Sequence, residues 1–303
     1  MIGLSFIYTL GGIVFAAFAL LSARDQTNPK RWGNAAFWGL LALSFLGGNA
    51  LGDLGNGVLV LVLVALAGFG AVGRSHPPTT DAATRSASAT KFGNRLFVPA
   101  LAIPVTALAG TLLFKYITVG GVPLVDPKQT TLVSLALGVL VALALATAML
   151  RPPKLASLQE GRRLVDAVGW AAILPQMLAA LGGVFALAGV GDVVGQGVSA
   201  IVPDGNLLAA VAAYTLGMAL FTMVMGNAFA AFPVMTAAVA LPLLVHGFGG
   251  NPAIIAAIGM LSGFCGTLCT PMAANFNIVP ATLLELDDRN GVIKAQVATA
   301  LPL

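Results

Sequence analysis

Between residues 266 and 280 the chain reads GTLCTPMAANFNIVP, which sets Thr267, Thr270, Asn275 and Asn277 around the helix-breaking Pro271. A similar stretch, MGNAFAAFP at 225–233, places Gly226 and Asn227 ahead of Pro233. Both lie inside long apolar runs, 252–284 and 207–247. Neutral amides and hydroxyls of this kind can orient a small ion without the desolvation cost of a buried counter-charge. A helix break beside them adds free backbone groups: amino-terminal ends attract carboxylates, and carbonyl ends attract Na⁺ or a proton donor. Paired interruptions in apolar segments are how secondary transporters build a site near the bilayer midplane.

On this reading Gly226, Asn227, Thr267, Thr270, Pro271, Asn275 and Asn277 hold a substrate or a coupling ion, Na⁺ or H⁺. Asp192, in the Gly-rich stretch that precedes them, is a candidate coupling acid; a loop acid at a helix end accounts for it equally well. The same residue types also fasten membrane helices together by close packing and interhelical hydrogen bonds. A non-transporting scaffold therefore stands as the alternative, and isolated polar residues such as Asn49 and Thr222 fit that second role.

Other chemistries find little footing. No acid pair lies at depth and no serine has a partner histidine, so no catalytic site and no enzyme is expected. Cys265 and Cys269 are four residues apart, but the only histidines are His76 and His246, so no metal site and no cofactor is expected.

The elements that must carry these residues follow from composition. Of 303 residues, 58% are hydrophobic and 9% charged, whereas a soluble domain averages about 25% charged. The apolar runs are continuous, which argues for membrane helices and against a barrel. The fold expected is an all-α, polytopic integral membrane protein of about 7–10 membrane elements. Discontinuous helices or re-entrant hairpins are expected in its C-terminal half.

Runs at 2–22, 35–52, 57–73, 96–116 and 131–150 read as five plain crossings, with a short turn at 53–56. The loops at 23–34, 74–95 and 151–166 hold three, four and four Lys or Arg, against only Lys115 and Lys128 on the other side. Such alternation places the basic loops in the cytoplasm and the N-terminus outside. The net charge of +4 is thus a topology signal, and no nucleic-acid partner is expected. Residues 1–150 form a five-helix scaffold region, 151–166 a basic cytoplasmic linker, and 167–303 a transport region with broken helices. The closing VATALPL (297–303) reads as the opening of a further helix.

GTLCTPMAANFNIVPATLLEL (266–286), NPKRWGNAAFWGLLALSF (28–45) and GNAFAAFPVMTAA (226–238) together resemble a bacterial inner-membrane family, domain of unknown function 979. More distantly the chain is similar to the ion-transporter superfamily of organic-anion carriers, through LGGVFALAGVGD (181–192). The resemblance implies a multi-pass permease subunit of the inner membrane, partnered by a second, smaller membrane subunit (family 969) or by further copies of itself. It also implies a small carboxylate substrate. The candidate is 5-oxoproline, because enzymes that open or release that compound accompany the family.

Overall fold

The computed structural model describes residues 1–77, 80–203 and 205–302. Among the described residues the regular elements are helical apart from one two-residue pair of strands, and the chain divides into two compact units, Met1–Gly169 and Trp170–Leu303. Six helical stretches among the described residues are long and apolar enough to cross a bilayer. It is an all-α, polytopic membrane protein.

In unit 1, α1 (Leu4–Arg24) packs against the first part of α2 (Arg31–Gly68). Gly11 and Gly12 lie against Phe45 and Leu46, and Phe15 stacks on Trp38 at 5.8 Å. A straight helix of 38 residues would run about 57 Å. Yet Asn34, near its start, exchanges two hydrogen bonds (2.7 and 2.8 Å) with the backbone of Gly73, just beyond its end. The helix therefore folds back on itself. The turn is at Gly52, whose φ of 62° and ψ of −175° suit a residue without a Cβ. Across the turn, Asn56 donates to the carbonyls of Gly48 and Gly52 (both 2.8 Å), and its oxygen accepts from the Ser44 hydroxyl (3.1 Å). The apolar runs 35–52 and 57–73 are the two arms of this hairpin.

After α3 (Ala82–Phe92), capped by Asp81, α4 (Phe97–Leu113) and α5 (Thr130–Leu150) form a second antiparallel pair. Gly110 faces Ser134 and Gly138 faces the Ile103 backbone, so small residues let the helices close in. Their connector holds the strands β1 (Thr118–Val119) and β2 (Val122–Pro123) and bonds the N-terminus: Ile2 N–H donates to Leu124 (2.8 Å) and Asp126 N–H to Ile2 (2.9 Å). The N-terminus and this connector therefore share one end of unit 1. The three basic segments gather at the other end, where α6 (Ala156–Val168) joins them. Segment 151–166 thus belongs structurally with unit 1.

Unit 2 contains α7 (Leu174–Leu187), α8 (Val190–Ile201), α9 (Leu207–Met225), α10 (Ala228–Met235), α11 (Pro252–Leu268), α12 (Ile278–Leu283) and α13 (Gly291–Ala300). A π-helical stretch, Thr236–Gly247, continues α10. Tyr214, Met218, Ala231, Met235, Val239 and Leu244 form its core. Gly259, Gly263 and Gly266 of α11 meet Tyr214, Met218 and Ala219 of α9 in rising order, so these two helices run parallel. The α10–π helix packs against both, and the two-residue turn before it returns it antiparallel to them. Run 207–247 is accordingly a helical hairpin. Each arm, of 19 and 20 residues, is long enough to cross by itself.

Candidate functional site

The turn of that hairpin is the first interruption. The α9 helix stops because Gly226 takes a left-handed conformation (φ 74°), its N–H donating to the Thr222 carbonyl at 2.7 Å. Asn227 follows in extended backbone, and its side-chain oxygen accepts from Phe229 N–H at 2.8 Å. It is the N-cap of α10.

The second interruption follows α11. Thr267 donates to the Phe264 carbonyl (2.6 Å), which ends the helix tightly. Thr270 donates to the Met223 carbonyl at 2.9 Å, capping α9 rather than its own helix, and accepts from Met272 N–H at 3.2 Å. Asn277 donates twice, to the carbonyls of Thr267 (2.8 Å) and Thr270 (2.7 Å), and so closes the loop on itself.

These bonds bring the two interruptions together. A Cβ on Gly226 would stand 2.5 Å from the Met272 carbonyl oxygen, so the backbones touch where only glycine fits. Thr222, Asn227, Thr267, Thr270 and Asn277 are all buried there, with Phe229, Phe264 and Phe276 in edge contact beside them. Pro271 is exposed on the loop, and Asn275 is half-buried with no hydrogen bond among the described residues. Asp192 lies apart. It is exposed, on the first turn of α8, a helix whose Gly191 and Gly195 pack on the carbonyls of Val234 and Ala238.

The 19 residues of α9 rise about 28 Å before the break, nearly the depth of the hydrocarbon core. The two loops meet at the C-terminal ends of the parallel helices α9 and α11.

The chemistry on offer is uneven. Asn277 has spent both N–H groups on carbonyls, and reversing its amide would set oxygen against oxygen, so its orientation is determined by its partners. Its oxygen and the Thr222 hydroxyl are fully buried without a hydrogen-bond partner among the described residues. Such atoms call for a donor or a cation. Asn227 keeps its amide N–H groups and Asn275 its whole amide, so among the described residues these two, with the Thr222 hydroxyl, remain as side-chain donors to an anion. The Thr222 side chain, assigned above to helix packing, belongs to this site; its one-turn spacing from Gly226 is the signal that marks it.

A second polar cluster lies at the basic end of unit 1, where the sequence shows only topology charge. Asp166, 2% exposed, accepts from the Trp38 indole at 2.7 Å and from the Ser75 hydroxyl. Arg162, 1% exposed, pairs with Asp25 at 2.9 Å and donates to the Leu21 carbonyl at 3.0 Å. The sequence signal is the spacing of Arg162 and Asp166 by one turn on the amphipathic α6.

No curated protein and no solved structure matches the chain. One family model covers it from residue 5 to residue 303, with both interruptions and the unit 1 cluster inside the matched range. The chain belongs to the family described as protein of unknown function (DUF979).

Proposed function

We propose that this chain is the permease subunit of a secondary transporter for a small organic carboxylate, working by alternating access around the paired loops of unit 2. The observation that carries the proposal is the contact between the two interruptions, which leaves the Asn277 oxygen and the Thr222 hydroxyl buried and without a partner among the described residues. Unsatisfied polar atoms in a membrane interior cost about 1–3 kcal/mol each, a cost that a bound ion or substrate removes. In this scheme Asn277 and Thr222 face a coupling cation, while the amides of Asn227 and Asn275 face the carboxylate. The family resemblance supplies the candidate substrate, 5-oxoproline, and the partner, a smaller membrane subunit of the bacterial inner membrane.

The scaffold alternative has its own observation. Thr270 and Asn277 spend their donors on capping α9 and α11, as purely structural residues would. Uptake of labelled 5-oxoproline by membrane vesicles holding the chain, with and without the smaller subunit, separates the two. The transporter reading expects uptake that Asn275→Ala abolishes without loss of folded protein. Wild-type uptake in that variant refutes the site. Absence of uptake of any small carboxylate in both preparations favours the scaffold.

A further inference from the structure

We propose that Asp166 is a proton-binding site that latches together the three loops at the basic end of unit 1, its carboxyl taking up a proton as the latch closes. The geometry is a meeting of three segments on one short helix. Trp38 comes from the first arm of α2 and Ser75 from the segment after the second arm; each donates to a different oxygen of Asp166. One turn earlier, Arg162 holds Asp25 and the Leu21 carbonyl at the end of α1. Asn34 and Gly73 lace the α2 arm to the Ser75 segment. Breaking contact at Asp166 therefore removes the Ser75 bond that ties the 71–77 segment to α6.

Charge balance supplies the proton. Among the described residues Arg162 is the one buried cation of the cluster, while Asp25 and Asp166 are two potential anions. With both acids ionised the set carries a net negative charge, and one proton makes it neutral.

The surroundings decide which acid takes it. Asp25 is met directly by the Arg162 guanidinium and by two bonds from Thr27, at 2.6 and 3.1 Å. Asp166 meets only neutral donors, the Trp38 indole and the Ser75 hydroxyl. Burial pushes the Asp166 carboxyl above its ordinary value, against the opposing pull of Ser75, Trp38, Arg162 and Asn34. Burial also pushes Asp25 up, but the Thr27 bonds and Arg162 outweigh it and hold that carboxyl below its ordinary value.

Among the described residues, the packed elements bring no further charge directly onto Asp166. Trp38 and Asn34 are neutral, Arg74 and His76 flank Ser75 with exposed side chains, and Lys30 lies along Gly73.

The sign follows. A carboxyl raised in the closed state stabilises it at low pH, and that stabilisation is lost as pH rises through the raised value. Asp25, lowered, contributes only above its ordinary value and is lost as pH falls toward its own depressed one. The latch is firmest between the two.

The test uses the full chain in lipid nanodiscs, with Trp32→Phe and Trp170→Phe leaving Trp38 as the only indole, and with His76→Gln removing the neighbouring imidazole. It needs no substrate, so its outcome is separate from that of the transport proposal. Trp38 emission is followed from pH 4 to pH 9. The expected result is a one-proton transition with its midpoint above 3.8, the ordinary aspartate value, that vanishes in Asp166→Asn. In Ser75→Ala, which keeps the acid and removes a donor to its anion, the midpoint moves further up. A transition that survives Asp166→Asn overturns the proposal. So does a Ser75→Ala midpoint that stays put or falls, or a flat titration in the parent protein.

Discussion

Two asparagines perform the same task in the two units, and they are left in different states by it. Asn56 reaches across the α2 turn and donates to the carbonyls of Gly48 and Gly52; Asn277 reaches back across the second interruption and donates to those of Thr267 and Thr270. Both seal helix ends whose carbonyls would otherwise lack donors. The amide oxygen of Asn56 then accepts from Ser44, and the residue is only half-buried. That of Asn277 is fully buried and has no protein partner among the described residues. The turn in unit 1 is complete as a piece of structure, whereas the one in unit 2 retains bonding capacity. The same contrast holds for the glycines: a Cβ added at Gly52 would meet nothing within 4 Å, while one at Gly226 would press onto Met272.

The contrast can be broken most forcefully at the asparagines. Asn277→Ala orphans two carbonyls in a buried place, each at about 1–3 kcal/mol. Asn56→Ala should cost less than half as much, because its turn is the more exposed of the two. Equilibrium unfolding in mixed micelles measures both, and equal losses would erase the distinction.

Next in size are the glycines. Gly226→Ala meets both a left-handed backbone and a carbonyl at 2.5 Å, for an expected loss of about 2–4 kcal/mol. Gly52→Ala bears only the backbone term of about 1–2 kcal/mol. Thr270→Val removes the bond to Met223 and should cost about 1 kcal/mol, with the apparent melting temperature as its readout.

The smallest structural effect sharpens the comparison most. Asn275→Ala removes an amide with no hydrogen bond among the described residues, so stability should stay within about 0.5 kcal/mol while uptake falls to background. A stability loss as large as that of Thr270→Val would instead mark Asn275 as part of the loop's packing.

Much of unit 1 was legible because its signals are local. The turn at 53–56, flanked by apolar runs, became the α2 hairpin, and the three basic loops are gathered at one end by Arg162, Asp25, Ser75 and Asp166. In unit 2 the sequence marked the pair of interruptions that the fold brings together. It could not show that Thr270 would cap α9, since that carbonyl lies 47 residues away. Nor could it separate Asn275 from Asn277, two residues apart and chemically identical, because loop closure buries one and leaves the other half-exposed. Asp192 was singled out for its place beside the Gly-rich stretch, and packing carried it to the first turn of another helix, α8.

By itself, then, the sequence determined that the chain is a helical membrane protein, roughly where its crossings lie, and that its basic loops share a side. Hydropathy and charge act additively over short windows, and the bilayer imposes them on every segment alike. Only the tertiary structure decided which polar groups meet, which of their hydrogen bonds are already spent, and that Arg162 and Asp166 are buried rather than solvated. An amide or a carboxyl carries no role of its own: its role is set by the partners that distant segments bring to it and by how far they exclude water.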